Sequence, residues 1–234
     1  MTTTIFGQFL EFSVPTDDIQ ASLNFYLELG FSELSVGDIR DYHYGVVTDG
    51  RIAIGLHAGG IDEPALSFIK SDVASYLQCI NPDDDEISFS RLGSEIFNEI
   101  GVHTPDGHLL IMMETRTFSR ADLSELPAPV IGHSVEISLG CHDACETTNY
   151  WTDAGFMALS DTADDAIELL TPGLRLGLQT HLSPGQSALR FMSADLSQTL
   201  TVLEQRNLAV RQIGPNHRLT APEGTHLDLI AAEY

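Results

Sequence analysis

The chain has 234 residues, of which 43% are hydrophobic, and its 34 acidic and 11 basic residues give a formal net charge of -23. The apolar fraction is sufficient for a packed core, whereas the large negative charge and the single lysine, Lys70, disfavour nucleic acid as a partner. No apolar stretch reaches the roughly 18 residues of a membrane span, and Met1-Thr2-Thr3-Thr4 lacks the features of a signal peptide. We therefore expect a cytoplasmic globular protein that binds neither nucleic acid nor membrane.

The first quarter of the chain is predicted to form one strand, one helix and three more strands. Apolar residues alternate over 9–14, as in a half-buried strand. Asp18 is placed to begin a helix whose apolar residues recur at helical spacing, and Gly30 is placed to end it. Three strands then follow, with Asp49-Gly50 as the tight turn between the last two, at 33–35, 42–48 and 51–57.

The same order of elements recurs in the other three quarters. In the second quarter a strand at 66–69 precedes a helix that begins after Asp72, and the turn Pro105-Asp106-Gly107 precedes the last strand. The third and fourth quarters cover 133–181 and 187–232. The pattern predicts four βαβββ modules.

Direct similarity between the two halves supports this repeat. Residues 7–14 resemble 132–139, and residues 104–107 resemble 221–224 in the same order along the chain. The sequence thus predicts an α+β fold in which the four modules form two cupped mixed sheets with the helices outside. The expected limits are a first domain at 1–115 with modules 7–58 and 64–115, a linker at 116–130, and a second domain at 131–234 with modules 131–181 and 187–234.

Two motifs resemble the vicinal oxygen chelate superfamily, which includes glyoxalase I, bleomycin-resistance proteins and extradiol dioxygenases. One is the strand–Asp–helix segment 10–31, with its Asn24-Phe25-Tyr26 and Gly30-Phe31. The other is the turn at 105–108, with its relative at 222–225. The resemblance implies that two modules form a cup that holds the ligand. It also implies that active members bind a metal ion from the first and last strand of each module.

The residues at those metal-ligand positions are poor ligands in this chain. The first-strand positions correspond to Phe9, Ala65, Ser134 and Ala188, and the last-strand positions to Gly55, Ile111, Gly177 and Asp228. Only Asp228 offers a strong donor, whereas a divalent cation needs several converging donors. The sequence therefore predicts no metal and no cofactor.

The first cup is expected to be mostly apolar, with a few polar groups. Such a surface is typical of a small-molecule site, and the alternative is that these side chains fill a collapsed cup. Aromatic rings near an acidic residue would suit a cationic ligand, which the negative surface would also attract. The candidate ligand-binding residues are Phe9, Glu11, Tyr44, His57, Ile111 and Met113.

The second cup is expected to be more polar. Arg175 and Arg190 are predicted to face Glu136 and Asp228, either to bind a polar ligand or as ion pairs on a solvated sheet. His226 and Asp228 lie two residues apart on one strand and point the same way. They could therefore form a general base, or a structural pair.

These expectations favour a binding protein over an enzyme. The leading hypothesis is a glyoxalase- or bleomycin-resistance-like protein that binds a small organic ligand. The alternative is a lyase, isomerase or dioxygenase of the same superfamily, and a third hypothesis is a scaffold that binds no ligand. The sequence is compatible with a monomer or a homodimer, and with either sequential or crosswise pairing of the modules.

Overall fold

The computed structural model describes residues 4–36, 40–77, 86–94, 97–118, 123, 125–160, 167–214 and 216–232. The elements of the first half are β1 (Gln8–Pro15), α1 (Ile19–Leu29), β2 (Ser32–Leu34), β3 (Tyr44–Thr48), β4 (Ala53–His57), β5 (Ala65–Lys70), α2 (Val73–Leu77), β6 (Glu86–Arg91), β7 (Glu99–His103) and β8 (Leu109–Glu114). Those of the second half are β9 (His133–Gly140), α3 (Ala144–Asp153), β10 (Met157–Ser160), β11 (Ile167–Thr171), β12 (Leu174–Gln179), β13 (Ser187–Ser193), α4 (Leu196–Gln205), β14 (Arg211–Ile213), β15 (Asn216–Thr220) and β16 (His226–Ala231).

The strands form two sheets of eight strands each. The first has the order β2-β3-β4-β1-β5-β8-β7-β6, and the second has the order β10-β11-β12-β9-β13-β16-β15-β14. Pairing is parallel between β5 and β8 and between β13 and β16, and antiparallel in the hairpins. The predicted α+β fold of four βαβββ modules is confirmed. Strands of consecutive modules share a sheet, the first and second modules in one and the third and fourth in the other.

Aspartate caps determine where the three longer helices begin. The side chains of Asp18, Asp143 and Asp195 accept hydrogen bonds from backbone amides of the first turn of α1, α3 and α4 respectively. Gly30 ends α1 in the left-handed region, with φ of 94°, as its position after the apolar stripe predicts.

Contacts divide the chain into two compact units, which we describe separately. The first unit holds the described residues within 1–12, 63–121 and 138–187, and the second holds those within 13–62, 122–137 and 188–234. Each unit therefore combines parts of both halves of the sequence. The domain limits at 115 and 131 stay a prediction.

In the first unit, a buried acid in a turn binds the start of a helix from the other half of the sequence. Asp106, in the turn before β8, accepts hydrogen bonds from the backbone amide of His142 at 2.9 Å and from the hydroxyl of Thr147 at 2.5 Å. Nε2 of His108 lies 2.7 Å from the carbonyl oxygen of Gly140 and donates to it. We call this arrangement a turn–helix contact.

The second unit has a turn–helix contact at the related turn. Glu223, before β16, accepts a hydrogen bond of 2.7 Å from the hydroxyl of the buried Tyr26 on α1. The pKa of Tyr26 is raised well above its ordinary value. Burial is the largest cause, and the negative charge of Glu223 is the second. The phenol therefore stays protonated and continues to donate.

The hairpin turn between β3 and β4 makes another contact of the second unit. Asp49 is fully buried and accepts hydrogen bonds from the amides of Arg51 and Ile52 in its own turn, and from the amide of Ser134 at the start of β9. The ring of His133 also donates to the carbonyl of Asp49 at 2.7 Å. The acid therefore orders its own turn and fixes the start of β9.

Helix length bears on membrane insertion. The longest helix among the described residues is α1, with eleven residues, and none of those described is long and apolar enough to cross a bilayer.

The burial of His108 makes stability depend on pH. Burial lowers the pKa of His108 below its ordinary value, although the bond to Gly140 and the nearby carboxylates oppose this shift. The unfolded chain therefore binds a proton on this ring near pH ~6.5, where the folded chain does not. Folding stability should fall as the pH drops below that value, and the fall should level off below the folded pKa.

We expect His108→Gln to reduce this fall in stability, because glutamine keeps a donor for Gly140 but does not titrate. Urea unfolding midpoints from about pH 7.5 to about pH 5 measure the effect. The control is His43→Gln at an exposed ring. Equal pH slopes for wild type and H108Q would show that His108 does not carry the effect.

Candidate functional site

A row of four alternating charges crosses the second sheet within the second unit. Arg190 and Asp228 are register partners on β13 and β16, and Asp228 and Arg218 are register partners on β16 and β15. Glu136 on β9 lies 3.1 Å from Arg190, measured from Oε1 to Nη1. Direct cross-strand partners project from the same face, so these side chains form one continuous polar row.

The row lies on the sheet face that α4 does not cover. The hydroxyl of Ser193 on β13 is hydrogen-bonded to the hydroxyl of Thr199 on α4 at 2.8 Å, so Ser193 projects toward the helix. Because side chains alternate along a strand, Arg190 projects the opposite way. The helix face is apolar and buried, with Leu189, Phe191, Leu227 and Leu229.

Arg218 and Asp228 form the shortest ion pair of the row, at 2.6 Å against 3.1 Å for Arg190 and Glu136. Nε and Nη2 of Arg218 donate to the two carboxylate oxygens of Asp228 at 2.6 and 2.8 Å, in the fork geometry that favours arginine. The side chains are only 14% and 11% exposed. The hydrogen bond to Asp228 raises the pKa of Arg218 above its ordinary value.

The sequence analysis did not identify Arg218 as a site residue. The position of the hairpin turn at 221–225 could have identified Arg218. A regular hairpin pairs residues that lie at equal distances from its turn. That counting places Arg218 opposite Asp228, as the register has it.

A buried arginine nitrogen of the row has no hydrogen-bond partner. Nε of Arg190 is buried and makes no hydrogen bond, whereas its Nη1 is paired with Glu136. An unsatisfied buried donor costs about 1–3 kcal/mol. The Arg190 side chain is 22% exposed, so part of it is open to solvent.

His226 projects from the same face as Asp228, two residues further along β16. Burial, and next the positive charge of Arg218, lowers the pKa of His226 below its ordinary value, so the ring stays neutral to lower pH. Its Nδ1 lies 3.4 Å from the hydroxyl of Thr220, and both oxygens of Asp228 accept from Arg218. A neutral imidazole ring can accept a proton, as a general base does. The predicted pairing of His226 with Asp228 stays a prediction.

Arg175, also expected in this polar set, belongs to the first unit. Its Nη1 lies 3.4 Å from Oε2 of Glu168, and the two side chains are 46% and 35% exposed. Exposed pairs of this kind contribute little to stability.

Two candidates of the first sheet meet in the second unit. Tyr44 and His57 are cross-strand partners, and their rings lie 4.7 Å apart between centroids. The hydroxyl of Tyr42 lies 3.0 Å from Nδ1 of the buried His57. The imidazole therefore contacts the phenols of both Tyr42 and Tyr44.

The other candidates of the first sheet lie in the first unit. Phe9 is buried and packs edge-on against Phe68, with ring centroids 5.7 Å apart. Glu11 and Ile111 are buried, and Met113 is half-buried. Their role in ligand binding stays a prediction.

The strand positions that bind metal in the superfamily do not present a fitting donor set. Within the described residues, no group of three or more His, Cys, Asp or Glu side chains is arranged to hold a metal ion. Asp228, the one strong donor expected at these positions, has both oxygens engaged by Arg218.

Comparison with known proteins identifies the fold. No family model and no curated protein matches the chain by sequence. An extradiol ring-cleaving dioxygenase from B. fuscum is similar with a TM-score of 0.63 and 13% identity, and the match covers 97% of this chain and 72% of that chain. Homoprotocatechuate 2,3-dioxygenase from Arthrobacter globiformis is similar with a TM-score of 0.65 and 14% identity, over 97% of this chain and 80% of that chain. The 2,3-dioxygenase LapB from Pseudomonas sp. KL28 is similar with a TM-score of 0.62 and 14% identity, over 100% of this chain and 94% of that chain.

The chain has the vicinal oxygen chelate fold. The resemblance noted in the sequence is confirmed at this level, and identities of 12–14% support the fold alone. The vicinal oxygen chelate fold hosts several chemistries, so function has to be argued from the site.

The comparison also corrects one prediction. The sequence analysis predicted no cofactor, because donors are missing at the superfamily's ligand positions. The similar structures are extradiol dioxygenases, whose chemistry in this superfamily depends on a bound metal, and this contradicts the prediction. The similar structures thus imply a metal, whereas the donor atoms of the described residues do not form a site for one.

A double-mutant cycle on Arg218 and Asp228 tests the strength of the row. We expect Arg218→Met and Asp228→Asn to show a coupling energy of about 1.5–3 kcal/mol, because the pair is charge-assisted and shielded from solvent. Urea unfolding of the two single variants and the double variant measures it.

The matched control is the exposed pair, with Arg175→Met and Glu168→Gln. Its coupling energy should not exceed about 1 kcal/mol. Similar coupling energies in the two cycles would contradict the view that burial strengthens the row.

Proposed function

We propose that the polar face of the second sheet binds a small organic ligand through Arg190. The observation that carries this proposal is the buried Nε of Arg190, a donor without an acceptor. A ligand oxygen at this position would remove the cost of the unsatisfied group. Neighbouring side chains keep the arginine in place, because Glu136 holds its Nη1.

The charges around Arg190 indicate which ligand fits. The row contains two arginines and two carboxylates, so its own charges cancel, and the whole chain carries a net charge of -23. A simple anion would be repelled by the surface before it reached the row. A neutral molecule with carbonyl or hydroxyl oxygens is therefore the better fit.

A cationic ligand at Tyr44 and His57 of the first sheet is a separate proposal. The rings of Tyr44 and His57 offer aromatic faces that attract a cation. Either ligand could be sequestered, as in bleomycin-resistance proteins, or converted, as in glyoxalases.

Arg190→Lys tests the proposal with little change in charge. Lysine keeps the positive charge that pairs with Glu136. It lacks the guanidinium Nε–H donor, so it cannot replace the hydrogen bond that Arg190 would make to the ligand. Catechol is a suitable probe, because it is neutral and carries two adjacent hydroxyl oxygens. We expect catechol to bind the wild type and to bind R190K about tenfold more weakly, since a lost charge-assisted hydrogen bond is worth about 1.5 kcal/mol.

Isothermal titration calorimetry measures the two affinities, and Arg175→Lys is the control at an exposed arginine. R175K should bind like the wild type. If R190K also binds catechol like the wild type, Arg190 is not the ligand-binding group.

A second candidate function is extradiol ring cleavage. The similarity to three dioxygenases over nearly the whole chain favours it, and the neutral His226 offers a proton acceptor on the same face as Arg190. The test is to incubate the purified protein with Fe(II) or Mn(II), oxygen and catechol, and to follow the absorbance of a ring-opened product. Turnover that depends on the added metal and is reduced in His226→Gln would establish this candidate. A protein that binds catechol without turnover would remain a binding protein.

A further inference from the structure

A groove lies between α4 and the strands β14 and β15, on the helix side of the second sheet. Its volume is about 560 Å³, and all of its described lining belongs to the second unit. The lining residues that matter here are Leu200, Glu204, Leu208, Val210, Gln212 and His217. His217 precedes Arg218 on β15, so it projects to the opposite face from the charged row.

The first and third modules have an aromatic pair at the place that corresponds to this groove. In the first module Phe31 follows the end of α1, its amide donates to the carbonyl of Tyr26, and the two rings pack 5.2 Å apart. In the third module Phe156 follows the end of α3, its amide donates to the carbonyl of Trp151, and those rings pack 4.8 Å apart. Both phenylalanines are buried.

The fourth module keeps the same backbone but lacks both aromatic rings. The amide of Leu208 donates to the carbonyl of Leu203 at 3.0 Å, and the preceding Asn207 is left-handed with φ of 57°, where the first module has Gly30. Leu208 is only half-buried and lines the groove. A leucine pair thus occupies the place of an aromatic pair, and ring-sized space is left open.

Polar groups around this space indicate the chemistry of an occupant. Nδ1 of His217 is buried and has no hydrogen-bond partner. Glu204 contributes a carboxylate to the lining, and the chain as a whole is strongly acidic. An occupant with an aromatic ring and a protonated amine would fill the apolar space and supply a donor for His217 or Glu204.

We propose that the groove between α4, β14 and β15 is a binding site for a small aromatic amine. The ring takes the place that Phe31 and Phe156 fill in their own modules, against Leu200, Leu208 and Val210. The ammonium group lies toward the carboxylate of Glu204. This site is separate from the charged row, so it is independent of the function proposed above.

The experiment uses 2-phenylethylamine as the probe, with phenylacetate as its anionic analogue and butylamine as an amine without a ring. Calorimetric titrations compare the wild type with Leu208→Phe, which introduces the phenylalanine that the first and third modules have at this position, and with Glu204→Gln at an exposed lining residue. Leu159→Phe, at an exposed position on β10, is the control for adding a ring elsewhere.

We expect 2-phenylethylamine to bind the wild type and L159F equally, and to bind L208F at least about tenfold more weakly, because the introduced ring fills its site. Glu204→Gln should reduce the preference for the amine over phenylacetate. Unchanged binding to L208F would overturn the proposal, as would equal affinity for phenylacetate, equal affinity for butylamine, or no binding of the probe to the wild type. Arg190→Lys should leave this binding unchanged, which separates the result from a test of the charged row.

Discussion

The turn–helix contacts are the interactions on which the two units depend. Asp106 and Glu223 occupy related turns of the second and fourth modules, and each binds a helix or helix start from the other half of the sequence. Buried carboxylates are costly unless donors surround them. Asp106 has an amide and a hydroxyl as donors from the start of α3, whereas the half-buried Glu223 accepts from the Tyr26 hydroxyl on Oε1 and its buried Oε2 has no partner.

Much of the fold could be predicted from the sequence, because each module carries its own local signals. Aspartates before apolar stripes, Gly30 after one of them and the hairpin turn at Asp49 all act within a few residues. The charged row was predicted only in part: Arg190 was expected to face Glu136, as it does, whereas Arg218 was missed and Arg175 pairs with Glu168 on its neighbouring strand. Periodicity assigns a face to each residue, but it does not assign a partner across a sheet.

The second sheet illustrates how one fold can keep its backbone while its polar chemistry changes. Where the superfamily is expected to place a metal ligand, Asp228 receives two hydrogen bonds from an arginine instead. A guanidinium group provides positive charge in fixed directions, as a cation would, but it cannot accept an electron pair from a substrate oxygen. The donor atoms on this face therefore suit the orientation of a polar molecule by hydrogen bonds.

The contact between Glu223 and Tyr26 has a consequence for the origin of the duplicated chain. A half-length ancestor would have carried the turn acid without a helix from another half to receive it. In such a protein water would have solvated that acid, or a second copy of the chain would have supplied the tyrosine. Fusion of two copies would then have replaced an association that depends on concentration by one within a single polypeptide.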